Sequence, residues 1–348
     1  MIFLKNMLIL GIESSCDETA AAVLEDGAKL LSNIINSQID VHVKYGGVVP
    51  ELASRRHIED IYSVVSEALD QADITLDRID GLAVTRGPGL IGSLLVGLSF
   101  AKALSFVKKI PYVGVDHMTG HLLSIFLEES KPDFPFVALV ASGGHSTIFY
   151  VSDPVTFHVM GRTLDDAAGE AFDKVAKLLG LKYPGGPVIS RMAKTGDAQS
   201  IYFPRAWLSR ESLDFSFSGV KTAVVNYVHR DNLKGISLNV PDICASFQEA
   251  VVDVLVEKTI RAAGLTGAQR IVLAGGVAAN ERLREVMRER GDREGFKVFV
   301  PSPEFCTDNA AMIALAGYYS FENASTLTYD MDVYSRSSGF PEWHNAER

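Results

Sequence analysis

The sequence predicts a mixed α/β fold laid down twice along one chain, and three observations carry that expectation. Residues 8–24 (LILGIESSCDETAAAVL) read as an apolar strand, a small polar turn and a second strand, and residues 136–151 (FVALVASGGHSTIFYV) repeat the plan. Helical and strand patterns alternate after each unit, as expected of sheets with helices on their faces. The chain has 348 residues, 47% hydrophobic and 22% charged. These are globular proportions at a length of roughly two domains, which excludes a disordered or fibrous protein and leaves no need for disulfides to hold a core.

The elements follow in order. The opening MIFLKNMLILGIESS carries one lysine and a short apolar run without a small-residue cleavage site. It reads as a first strand, not a signal peptide, and the six residues before Met7 as an extension or an early start. Helices are expected near 51–71, 90–107, 117–128, 165–179, 243–263, 280–290 and 309–320. The stretch Leu90–Val107 imitates a membrane span in length. Its Lys102, its serines and glycines, and the Arg86-Gly87-Pro88-Gly89 turn before it favour close packing in a soluble core. Asn280 and Asp308 stand where helix N-caps belong. EESKPDFP supplies charge and two prolines near 130, so the expected division is residues 1–130, residues 131–330 and a polar tail, 331–348.

A net charge of −10 argues against gripping nucleic acid over the whole surface, since neutralising phosphates takes Lys and Arg. It leaves room for a local basic patch or a basic partner. Cys16, Cys244 and Cys306 are scattered and form no CxxC pair. A disulfide framework or zinc cluster is excluded, and the usage fits a reducing cytosol.

Several constellations can carry chemistry. His117-Met118-Thr119-Gly120-His121, capped by Asp116, places two imidazoles one turn apart on one helix face. A zinc-protease helix needs HExxH, and Met118 stands outside that pattern. Asp308 is either a third ligand or a plain cap; two histidines and one carboxylate leave open positions on an ion such as Fe(II), and nothing in the pattern selects iron over zinc. LAGGVAAN (273–280) runs a strand through a double glycine into a helix start suited to an anion. In DDAAGEAFDK (165–174), Asp166, Glu170 and Asp173 share a helix face, with Glu170–Lys174 and Asp173–Lys177 as ready ion pairs. The loop Tyr183-Pro184-Gly185-Gly186-Pro187 reads as a rigid turn presenting backbone to a ribose. Asp17 and Glu18 could orient a nucleophile or a metal-bound water. Cys16 lacks a neighbouring histidine and reads as a small buried residue. Five arginines in 281–294 are cancelled by five acids, so Arg55-Arg56-His57, Arg86 and Lys221 are the better basic candidates, with surface salt bridging the alternative.

Taken together, GIESSCDET (11–19), YGGVVPELASRRH (45–57), TRGPGLIGSLLVG (85–97), DHMTGH (116–121), ASGGHS (141–146), DDAAGEAFDK, YPGGP, FSFSGVKTA (215–223), LAGGVAAN and CTDNAAMIA (306–314) resemble the TsaD (Gcp/YgjD, Kae-type) family, bacterial branch, over residues 7–320. The resemblance implies an actin/Hsp70/sugar-kinase-like (ASKHA) fold of two RNase H-like lobes with a ligand in the cleft. It implies a cytoplasmic acyltransferase that moves threonylcarbamoyl from threonylcarbamoyl-AMP to N6 of adenosine 37 in tRNAs reading ANN codons. The rival readings are an ASKHA-type small-molecule kinase or ATPase, and a non-catalytic scaffold of a tRNA-modification complex.

The implied metal ligands are His117, His121 and Asp308, holding one divalent ion per subunit, Fe2+ or alternatively Zn2+. The implied substrate contacts are Val140, Ala141, Ser142, Gly143, Gly144, Asp173, Gly186 and Asn280, around threonylcarbamoyl-AMP or ATP/ADP. Asp17 and Glu18 are the candidate catalytic carboxylates. The family turn usually reads VSGGHT where this chain has ASGGHS, which keeps a small residue and a hydroxyl. A TsaB-like paralogue, docking on helix 90–107, a TsaE-like ATPase and tRNA are the expected partners, with no membrane and a homodimer as the state in isolation.

Overall fold

Alternating apolar runs bounded by small polar turns form two sheets in the computed structural model, which describes residues 7–209, 211–321, 329–336 and 339–343. The first sheet holds β1 (Leu8–Glu13), β2 (Glu18–Glu25), β3 (Lys29–Ser37), β4 (Gly81–Gly87) and β5 (Tyr112–Asp116), in the order β3-β2-β1-β4-β5. β1 pairs antiparallel with β2 and parallel with β4. Helices α1 (Pro50–Ala72) and α2 (Ile91–Lys108) pack on the sheet, and a seven-residue helix α3 (His117–Leu123) follows β5 directly.

The second sheet repeats this plan. It holds β6 (Phe136–Ala141), β7 (Ser146–Asp153), β8 (Thr156–Arg162), β9 (Arg270–Ala274) and β10 (Lys297–Phe299), in the order β10-β9-β6-β7-β8. Each sheet is therefore an antiparallel three-strand meander with two parallel strands added on the side of its first strand. Its helices are α4 (Ala168–Leu178), α5 (Gly185–Ala193), α6 (Ser218–Leu233), α7 (Val240–Thr266) and α8 (Glu281–Glu294). The turn expected at Tyr183–Pro187 thus opens α5, and α6 lies in a stretch where no helix was expected.

The chain divides into two units, Met1–Lys131 with Pro301–Gly339, and Pro132–Val300 with Phe340–Arg348. This corrects the expected second lobe (131–330) and the separate tail (331–348). Helix Ala310–Phe321 is buried from Ala310 to Tyr318 and packs on β1, β2, β4 and β5. A helix without a polar side has to be covered, and the sheet of the first unit covers it. The described tail also packs there: Tyr329 stacks on Tyr112, the Met331 carbonyl accepts from Lys102, and Tyr334 lies against Arg86. In the second unit, Glu342 bridges to Val159. Tail residues 337–338 and 344–348 lie outside the described residues.

Helix α2 meets the length and composition of a membrane span. Ser93, Leu94, Gly97, Leu98, Ala101 and Ser105 are buried, so its small residues make the close packing.

One glycine sets the depth of the helix Ala310–Phe321. A Cβ on Gly11 would stand 2.4 Å from the Ala310 carbonyl oxygen and 2.8 Å from the Ala314 nitrogen, both backbone atoms that cannot rotate away. Gly11→Ala should therefore destabilise the fold by an overpacking cost of about 1–3 kcal/mol, seen as a lowered urea midpoint by far-UV circular dichroism; an unchanged midpoint would contradict this packing.

Candidate functional site

β5 ends at Asp116, whose carboxylate accepts from the Met118 backbone nitrogen at 2.8 Å and so starts α3. The other carboxylate oxygen accepts from Tyr334 Oη at 2.6 Å. With the start pinned, His117 and His121 fall one turn apart, their rings 4.7 Å centroid to centroid. Asp308 comes from the far end of the chain. The cap of the helix that follows is Asn309, whose Oδ1 accepts from the Met312 nitrogen at 3.0 Å. The cap expected at Asp308 is corrected accordingly: its carboxylate lies 3.2 Å from His121 Nε2 and 3.5 Å from His117 Nε2.

These three side chains each turn one ligand atom into a common space, all within 4.8 Å of one another. The donor set fits a divalent ion of intermediate softness: two imidazole nitrogens and one carboxylate oxygen, with further positions open. Two features reinforce the fit. A second carboxylate, Glu13 at the end of β1, is fully buried 3.0 Å from His117 Nδ1. His121 Nδ1 is buried with no partner among the described residues, so nothing but Asp308 engages that ring by hydrogen bonding. The buried Glu13 and the half-buried Asp308 carboxylates face one another across imidazoles, a charge that a divalent ion neutralises.

The electrostatics agree. Burial alone would push the His117 imidazole down, but the charges of Asp308 and Glu13 outweigh it and hold the ring protonated well above its usual range. Burial would push the Asp308 carboxyl up, and His117 and then His121 hold it far below the ordinary carboxylate range. For His121 burial wins, and its titration falls.

The expected carboxylates Asp17 and Glu18 lie where β2 begins, Asp17 buried. Burial first, then the charges of Asp308 and Asp17, push the Glu18 carboxyl well up. It accepts from Ser37 Oγ at 3.2 Å. Cys16 is unsuited to nucleophilic attack: burial, with Asp17 and Asp308 adding negative charge, pushes the thiol well up. The backbone carbonyl of Cys16 accepts from His57 Nε2 at 3.0 Å, and His57 Nδ1 meets Thr19 Oγ1 at 2.7 Å. His57 is thus a buried strut for this turn, while Arg55 pairs with Glu51, Arg56 with Glu59 and Asp60, and Lys221 with Asp166. The basic candidates are mostly committed to ion pairs, as the alternative reading held.

The second unit gathers the other expected residues. Val140 and Ala141 end β6, and the turn Ser142–Gly144 is closed by His145 N–H donating to Ser142 Oγ at 3.2 Å. Gly275, at φ +84, would press a Cβ to 2.5 Å from the Ala141 carbonyl, which ties the double-glycine turn to this loop. Ser142 O accepts from the nitrogen of Gly169 in α4 at 3.2 Å. Asp173, expected as a substrate contact with an ion pair to Lys177 the alternative, accepts from the Gly185 nitrogen at 2.7 Å and fixes the start of α5. Asp166 precedes α4 and pairs with Lys174, as does Glu170. Asn280 caps α8 through Oδ1 and donates to Gln248 Oε1 at 2.8 Å. Nothing lies within 4 Å of a Cβ position at Gly143, Gly144, Gly186 or Gly276. A ligand can therefore reach main-chain atoms on all three loops.

Sequence reasoning missed Glu13. The available signal was an acid closing a strand, LILGIE, that is otherwise wholly apolar.

A family model described as TsaD, tRNA N6-adenosine threonylcarbamoyltransferase, matches residues 29–315. Proteins of that name from Desulfotalea psychrophila and Syntrophus aciditrophicus are 58% and 57% identical, each alignment covering 95% of this chain and 97% of the relative. The fold is similar to that of full-length HypF in its phosphate- and nucleotide-bound form, with a TM-score of 0.61 at 15% identity, covering 92% of this chain and 47% of HypF. It is also similar to component A of the Acidaminococcus fermentans (R)-2-hydroxyglutaryl-CoA dehydratase, with a TM-score of 0.52 at 16% identity over 90% of this chain and 98% of that one. These likenesses show that the fold is of the ASKHA type.

A proton on His117 competes with any metal for Nε2. The sign follows from the upward shift: below the raised titration of His117 the metal must displace that proton, so affinity climbs with pH until the ring deprotonates unaided. Chelator competition between about pH 6 and about pH 8 should show Zn2+ affinity rising with pH. In Asp308→Asn the affinity should collapse at every pH.

Proposed function

Given that the chain belongs to the TsaD family, tRNA N6-adenosine threonylcarbamoyltransferases, and so forms threonylcarbamoyladenosine in tRNA, we propose that His117 Nε2, His121 Nε2 and Asp308 hold the metal of the transfer site, with Fe2+ the resident ion and Zn2+ the alternative. The convergence of these three groups is the observation that carries the reading. A divalent ion bound there supplies positive charge for an oxygen on which negative charge develops during acyl transfer.

The rest is the work of side chains and backbone. The reaction is attack of N6 of adenosine 37, in tRNAs reading ANN codons, on the carbamoyl carbon of threonylcarbamoyl-AMP. The new C–N bond forms, the C–O bond to phosphate breaks, and AMP departs with that electron pair while the amine loses a proton. Val140 to Gly144 present backbone to the acyl phosphate, and Asp173, Gly186 and Asn280 flank the nucleotide. The uncrowded glycines of these loops support that assignment. Glu18, with Asp17 adjoining it, is the carboxylate assigned to accept the N6 proton; burial and its acidic neighbours raise its proton affinity. Full-length HypF, similar in fold and solved in a phosphate- and nucleotide-bound form, supports a nucleotide on this fold.

A protein of net charge −10 holds tRNA poorly alone, which argues for partner subunits. The TsaB-like paralogue is assigned to the packed helices α1 and α2, where Ile58, Tyr62, Leu95, Phe106 and Val107 are exposed. A TsaE-like ATPase completes the complex, all in the cytoplasm.

Reconstitution with tRNA, threonine, bicarbonate, ATP and the partner proteins, read by nucleoside mass analysis, tests the assignment. His117→Ala and His121→Ala should each abolish both metal binding and product; full activity in either variant refutes the metal role. Leu95→Glu should prevent co-purification with the paralogue while metal content stays at the wild-type level.

A further inference from the structure

Glu13 is neither a ligand nor a substrate contact in the reading above, yet its carboxylate is held by three groups. It is fully buried at the end of β1. Oε1 accepts from the Ser15 nitrogen at 2.5 Å, and Oε2 accepts from Thr85 Oγ1 at 2.7 Å and stands 3.0 Å from His117 Nδ1. Ser15 N–H and Thr85, on two sides, fix the carboxylate so that it cannot rotate away from the imidazole. An ionised carboxylate only accepts, so the His117 nitrogen facing it must donate.

We propose that Glu13 is the positioning residue of the metal centre: it holds His117 with the proton on Nδ1 and so keeps Nε2 directed at Asp308 as a ligand. This rests on the metal reading above. The arrangement is selective. His121, with its Nδ1 buried and unpartnered among the described residues, is oriented by helix packing and Asp308, whereas His117 is oriented by a dedicated buried anion. Glu13 also contributes a second negative charge beside the site, which raises the basicity of His117 as a ligand. A glutamine cannot replace it. With its oxygen kept toward the Ser15 N–H, its amide N–H would face His117 Nδ1, which must then accept and move the ring proton to Nε2; with the amide reversed, N–H would meet the Ser15 N–H, donor against donor.

The test uses the full-length protein and Co2+ as the probe, with affinity from chelator competition and geometry from the visible d–d absorption. Glu13→Gln is expected to weaken Co2+ binding about 10–100-fold and to shift the d–d band, with the far-UV spectrum unchanged. Thr85→Val, which removes only the hydroxyl that anchors Oε2, should weaken binding several-fold in the same direction. Wild-type binding together with a Glu13→Gln affinity within about twofold and an unaltered band overturns the positioning role alone. Should Glu13→Gln not fold, a Thr85→Val protein indistinguishable from wild type overturns it equally. Absence of Co2+ binding by the wild-type protein overturns the metal reading and this proposal with it.

Discussion

The interaction on which the first unit depends is the seating of an all-apolar helix against the bare backbone of β1. Residues Ala310 to Tyr318 offer no face to water, and Gly11 offers no side chain to hold the helix off. Burial of that helix is driven by the hydrophobic effect, but its consequence is electrostatic. Asp308, just ahead of it, is carried into contact with two imidazoles from a helix 187 residues away in sequence. Because Asn309 takes over capping, the Asp308 carboxylate is left for those rings.

The charge around that contact is unusual for a protein interior. One buried and one half-buried carboxylate and two buried imidazoles are tolerated because each faces an opposite or hydrogen-bonding group. In the metal-free protein the proton on His117 balances part of the negative charge, which is why its titration rises although burial opposes it. The same field reaches the neighbouring turn, where Asp308 contributes to raising both Glu18 and Cys16. Proton affinity throughout this corner is therefore set by burial first, with Asp308 the charge that all three groups share.

The second unit solves a different problem with the same topology. Its strand order repeats the first, but its strand ends carry glycine turns instead of imidazoles. Side chains there brace one another: Asp173 holds Gly185, and Asn280 is shared between a helix start and Gln248. The charged helix α8 is likewise anchored, with Arg282 on Glu249 and Arg290 on Glu257. Two of its five arginines are thus tied to α7, and only part of that helix behaves as the solvated face its balanced charge suggested.

Much of this was legible beforehand because it is local. Strand and helix periodicity, the Asp116 and Asn280 caps, the one-turn spacing of His117 and His121, and the strand–turn–strand duplication all lie within short windows, and motif resemblance added the distant Asp308 to the pair. What stayed hidden is long-range. The return of residues 301–339 to the first unit, the transfer of capping from Asp308 to Asn309, and the hold of Glu13 on His117 across 104 positions depend on which surfaces are buried together. Sequence by itself determined the element types and the chemical inventory, since these follow from backbone preference and side-chain identity. Tertiary structure alone decided which carboxylate becomes a ligand, which a cap and which a brace, because that choice is made by burial against partners far away along the chain.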